Sequence, residues 1–104
     1  MATPYQIMTA ETGTANSLPF RINLGTKLAR EWDLPYIGLY GTIGTALVKL
    51  QWRAADGIYY NTDDTFSRLG LFKLPSSSEI ILRLSVTAGG GSSISAEVIN
   101  GIAV

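Results

Sequence analysis

The sequence predicts an all-β fold: an antiparallel β-sandwich, with jelly-roll or other Greek-key topology and an extended N-terminal arm. Three observations predict it. Apolar residues recur with period two over most of the chain from residue 19 onward. Turn-forming residues interrupt that pattern at intervals of roughly ten residues, the spacing of short antiparallel strands. No stretch sustains a helical period. The best, TKLAREWDL, lets Leu28 and Trp32 share a face but lies between strong strand signals.

The elements follow in order. Residues 1–18, MATPYQIMTAETGTANSL, are dominated by Thr, Ala, Gly and Asn and read as the arm, with the sandwich spanning 19–104. Tyr5, Ile7 and Met8 form the arm's larger apolar group. A strand around residues 5–9 is one reading of it, and the three residues are candidate interface contacts. In FRINL, Phe20, Ile22 and Leu24 face one way and Arg21 and Asn23 the other. YIGLYG is apolar on both parities. In ALVKLQWR, Ala46, Val48, Leu50 and Trp52 point inward while Lys49, Gln51 and Arg53 point outward. That parity predicts Trp52 in the core between the sheets.

Asp56-Gly57 then marks a turn into IYYNT. Tyr59 and Tyr60 are adjacent in one strand, so one of them faces solvent. Both are candidate interface residues, because tyrosine is enriched at protein contacts. LPSSSE breaks the chain at Pro75. In SEIILRLSVT, Ile80, Leu82, Leu84 and Val86 face in, and Ile81, Arg83 and Ser85 face out. AGGGSS reads as a loop, since consecutive glycines are costly to order in a strand. In SISAEVI, Ile94, Ala96 and Val98 face in.

Composition narrows the function. The 104 residues make one domain with enough chain for a core. Only 15% are charged, against about 25% in typical domains, so the surface is neutral and rich in hydroxyls and glycine. Eight basic and eight acidic residues cancel. No run of Lys and Arg marks a nucleic-acid or anionic-membrane binder, and neither is expected as a partner. No apolar run approaches the ~18 residues of a transmembrane helix. A basic segment followed by an apolar one is missing from the start, so no signal peptide is expected.

Catalytic chemistry has little to work with. Cysteine and histidine are absent, which removes disulfides, thiolate nucleophiles, Ser-His pairs and His- or Cys-ligated metals. The carboxylates Glu11, Glu31, Asp33, Asp56, Asp63, Asp64, Glu79 and Glu97 fall mostly at strand ends or turns. No catalytic residue, metal ligand or cofactor site is assigned, and the chain is read as no enzyme. NTDD, residues 61–64, offers oxygen ligands but lacks a calcium-loop spacing; it reads as a polar turn whose side chains cap their own backbone. GTIGT and AGGGSS lack the Lys-Ser/Thr of a phosphate loop and read as flexible connections. Trp32, Tyr36, Tyr40, Trp52, Tyr59 and Tyr60 would make a sugar platform only if several rings were exposed on one face.

GTALVKLQWRAADGIYYNTDD, followed by KLPSSSEIILRLSVTAGGGSSISAEVI, resembles small β-sandwich virion proteins of tailed phages over about the last two thirds of the chain. The resemblance rests on Val48-Leu50-Trp52, Asp56-Gly57, Leu74-Pro75, Leu82-Arg83-Leu84, Gly89-Gly90-Gly91 and Ile94-Ala96-Val98. Capsid decoration (cement) proteins and modules of head or tail fibres both share this pattern. It implies a virion structural role and leaves open which part of the virion. Together with the near-empty catalytic inventory, the neutral surface and the arm, the expectation is a non-enzymatic cement protein on the capsid surface, made in the host cytoplasm, that binds the major capsid protein as a trimer or dimer. A receptor- or carbohydrate-binding fibre module is the alternative. Tyr59, Tyr60, Asn61, Asp63 and Asp64 would be its obvious group.

Overall fold

The computed structural model describes residues 4–23, 35–74 and 79–104. Leu24, the helical alternative at 26–34 with Trp32, and the break at Pro75 lie outside them. Among the described residues ten strands occur, in the order β1 (Tyr5–Glu11), β2 (Ala15–Asn16), β3 (Phe20–Asn23), β4 (Tyr36–Thr42), β5 (Leu47–Arg53), β6 (Tyr59–Phe66), β7 (Gly70–Lys73), β8 (Glu79–Thr87), β9 (Ser93–Ile99) and β10 (Ile102–Ala103). The described residues contain no helix.

All pairings are antiparallel and fall into two sheets. One runs β1-β9-β4-β7; the other runs β10-β3-β8-β5-β6, with β2 also paired to β8. β2 and β3 lie end to end along the same side of β8. Counted as one interrupted strand, they leave eight core strands plus β10. The first and last of these eight pair in one sheet, and the second and seventh pair in the other, which is the order of a jelly roll. The sequence left jelly roll and other Greek keys open; the pairing selects the first.

Period two explains the core. Phe20, Ile22, Val48, Leu50, Leu82, Leu84 and Val86 from one sheet meet Ile37, Leu39, Ile94, Ala96 and Val98 from the other, all buried. These are the inward parities of the alternating runs. Phe66 and Phe72, with ring centroids 4.5 Å apart, link β6 to β7 across the open side of the sandwich. The Arg68 guanidinium lies 4.9 Å from the Phe72 ring centre.

Four expectations change. Residues 5–11 are a strand, but Ile7 and Met8 are buried in this chain's own core. Adjacent residues face inward together because β1 is bulged. Gln6 to Met8 spans two steps against one on β9, and Met8 to Glu11 spans three against two. The bulge releases the Ile7 carbonyl from the ladder, and it accepts the Leu18 N–H at 3.0 Å. Ser17 fastens the same segment to β8, its N–H donating to Leu84 O at 2.8 Å and its Oγ accepting the Leu84 N–H at 2.9 Å. Neither Ile7 nor Met8 is therefore available to a partner. Tyr5 is half-buried against the core.

The second change concerns NTDD, which belongs to strand β6 rather than a turn. Lys49 to Gln51 spans two steps on β5 against four on β6, so Thr62–Asp64 form a wide bulge opposite Leu50. The local capping is real but comes from threonine: Thr62 Oγ1 donates to Leu50 O at 3.0 Å and accepts the Asp64 N–H at 3.1 Å. The third change is at Trp52, which is 39% exposed.

The glycine-rich stretches are not merely loose connections. They pack on each other. Gly90 N–H donates to Thr45 Oγ1 at 2.8 Å. A Cβ on Gly89 would collide with the Thr45 backbone, and Gly44, at φ 56°, faces Gly90 O just as closely. Nothing lies within 4 Å of a Cβ on neighbouring Gly90. Gly89→Ala is therefore expected to cost about 1–3 kcal/mol, the usual penalty of overpacking, while Gly90→Ala stays within about 0.5 kcal/mol of the parent; urea unfolding of the pair measures the difference. Ile7→Ala is expected to cost about 2–5 kcal/mol in the same assay, whereas a dispensable arm would show no change.

Candidate functional site

The β5–β6 hairpin carries the most distinctive exposed chemistry among the described residues. Its turn is built by Asp56-Gly57. Gly57 takes φ 84°, which suits glycine. Its N–H donates to Ala54 O at 3.0 Å, and Ala54 N–H donates to Ile58 O at 2.9 Å. Asp56 closes the turn from the side. Its Oδ1 accepts the Ile58 N–H at 2.9 Å and its Oδ2 accepts the Tyr60 hydroxyl at 2.8 Å.

Trp52 stands directly opposite Tyr60 on one side and Leu82 on the other. It shares the inward parity of Val48 and Leu50, as the alternation predicts. Yet it is 39% exposed, whereas Leu82 is fully buried. The core expectation for Trp52 is corrected: its parity is inward, but beside the border strand β6 the face is left partly uncovered. Its ring centroid lies 6.1 Å from that of Tyr60 with the planes tilted by 40°, within the range of attractive aromatic pairs. Tyr60 is 45% exposed and Ile58, on the same strand parity, 56%. Trp52, Ile58 and Tyr60 thus make an exposed aromatic–aliphatic cluster braced by Asp56.

Tyr59 faces the opposite way. The Arg83 guanidinium lies 3.9 Å from its ring centre, and Arg83 Nε donates to Gln51 Oε1 at 2.9 Å. Gln51 Nε2 in turn donates to Asn61 Oδ1 at 3.0 Å. The two adjacent tyrosines therefore serve different faces, Tyr60 the aromatic cluster and Tyr59 a polar ladder on the outside of its sheet. Tyr40, also exposed, belongs to the other sheet, where its hydroxyl donates to Gln6 Oε1 at 3.0 Å.

Chemically the cluster presents aromatic and aliphatic area. Its one carboxylate is committed to the turn and to Tyr60, and no group of three His, Cys, Asp or Glu side chains among the described residues is placed to hold a metal. In NTDD, Asn61 Oδ1 accepts from Gln51, and Asp63 and Asp64 sit in the β6 bulge. The exposure of Trp52 had one faint signal in the sequence, its position as the last apolar residue before RAADG. The Asp56–Tyr60 contact had another, a four-residue spacing from the turn into the strand that follows it.

Asp56 is held below the ordinary carboxylate range, first by the Ile58 N–H and then by the Tyr60 hydroxyl. The Tyr60 phenol is correspondingly raised by the Asp56 carboxylate. A depressed carboxyl stabilises above its unfolded value of 3.8 and loses that contribution as the pH falls through the lower folded value. Tyr60 ring resonances are expected to move with a midpoint below 3.8; the movement disappears in Asp56→Ala, and an unchanged titration in that variant removes the brace.

Comparison with protein-family models, curated proteins and solved structures returns no match for this chain.

Proposed function

We propose that this chain is a non-enzymatic structural protein of a virion, a capsid cement or decoration protein that binds major capsid subunits and stabilises the head. The strand-and-turn resemblance supports the virion part. The contact part rests on one observation: Trp52, Ile58 and Tyr60 are exposed together at a hairpin fixed by Asp56. Aromatic residues presented on a rigid element are typical anchors of protein interfaces. The neutral surface suits this mode, since few charges have to be stripped of water when it is covered. Subunits gather as a trimer or dimer at symmetry axes of the shell. They stabilise the assembled form because they bind it and not the free capsid subunit.

The carbohydrate-binding alternative gains from the exposure of Trp52. It loses because the cluster's immediate neighbour is Ile58, its carboxylate is already bonded, and the amides Gln51 and Asn61 face the other side. Particles lacking the protein are expected to rupture sooner on heating or osmotic shock than complete ones. Adding back the chain restores survival, and the Trp52→Ala/Tyr60→Ala variant, folded by circular dichroism, does not. Equal survival of all particles, with glycan binding by the isolated chain, overturns the cement reading in favour of the fibre module.

A further inference from the structure

The outer face of the β3-β8-β5-β6 sheet gathers charge that is scattered in the sequence. Lys49, Gln51 and Arg53 alternate outward on β5. Register places Arg83 beside Gln51 and Tyr59 beside Arg53. Arg21 stands opposite Ile81 on the same outward parity, one strand further along. Four cations, Arg21, Lys49, Arg53 and Arg83, therefore share one face, while the remaining described basic residues, Arg68 and Lys73, lie elsewhere. None of the four forms an ion pair with another described residue. The acids nearest in register stand at the margins: Glu79 at the start of β8, its side chain outside the described set, and Asp63 and Asp64 in the bulge of β6.

We infer that this face is a second docking surface, taking a protein partner that presents Asp and Glu carboxylates interspersed with aliphatic side chains. Charge complementarity selects the carboxylates. The apolar part comes from Ile81, half-buried beside Arg21, and Ile102, 52% exposed and opposite Arg21 on the other side. Arg83 is already oriented by Tyr59 and Gln51, so its guanidinium meets a carboxylate with little further loss of freedom. Arg21 has its Nε buried without a hydrogen-bond partner, so no bond at that nitrogen ties it to the chain. A nucleic acid fits less well. Arg83 covers the ring of Tyr59, which removes the stacking platform that single strands use. This face is opposite in direction to the Trp52 cluster, and the inference does not depend on which partner that cluster takes.

The test is a nuclear magnetic resonance titration of the intact chain with a synthetic peptide of alternating Glu and Leu. Amides of Lys49, Gln51, Arg53 and Arg83 are expected to shift together, and the shifts to collapse when salt shortens the screening length well below ~10 Å. Lys49→Gln/Arg53→Gln, which alters no side-chain hydrogen bond described above, is expected to weaken binding about tenfold or more. Arg68→Gln/Lys73→Gln leaves it unchanged. The inference fails if the peptide shifts nothing, if the two double variants weaken binding equally, or if oligothymidylate binds the same amides more tightly than the peptide. Salt-sensitive self-association seen by sedimentation, with shifts on both this face and the Asp63-Asp64 bulge, also overturns it by making a second copy the occupant.

Discussion

Everything in this molecule depends on a chain that keeps changing sides. Taken in order, the described strands change sheet at seven of nine steps; β2 to β3 and β5 to β6 stay within a sheet. No sheet is completed by neighbouring sequence, so neither is stable until both faces of the core have met. The central strands β8 and β9 are the pivot. Leu82, Leu84 and Val86 oppose Ile94, Ala96 and Val98 through the core, and only the loop at 88–92 separates them in sequence. Such pairing is dominated by contacts distant in sequence, which predicts slow folding relative to helical proteins of the same size. The close seating of that loop on Thr45 follows from the same demand: β4–β5 and β8–β9 cross the core side by side at one end.

Much of this architecture is legible in the sequence because half-buried antiparallel strands write their burial as alternation. Val48-Leu50, Leu82-Leu84-Val86 and Ile94-Ala96-Val98 are all inward where the period places them. Alternation fails wherever the ladder slips. The doubled inward pair Ile7-Met8 is produced by a bulge that no local propensity announces, and NTDD looks like a turn because the residues that favour turns also favour bulges. Trp52 shows a third limit. Period two reports which face a side chain takes but not how well that face is covered: along one register row Phe20 and Leu82 are fully buried, while Trp52 and Tyr60, toward the border strand β6, are exposed.

The candidate surfaces were partly legible for the same reasons. Adjacent tyrosines on a strand had to part company, and they do, Tyr59 toward Arg83 and Tyr60 toward Trp52. The gathering of Arg21, Lys49, Arg53 and Arg83 was not legible, because β3, β5 and β8 are far apart in the chain and their juxtaposition is a property of the strand order. A protein with no net charge thus acquires a polarised surface through topology alone.

The bulges in β1 and β6 have a consequence for how this protein meets others. Both strands border their sheets, and a straight border strand is a template on which another chain can extend the sheet. Here two separate slips distort β1, and a wide slip with two aspartates interrupts β6. The remaining borders, β2, β7 and β10, span two, four and two residues. Among the described residues, backbone-to-backbone growth is thereby discouraged at each border, which leaves side chains as the means by which this chain grips another molecule.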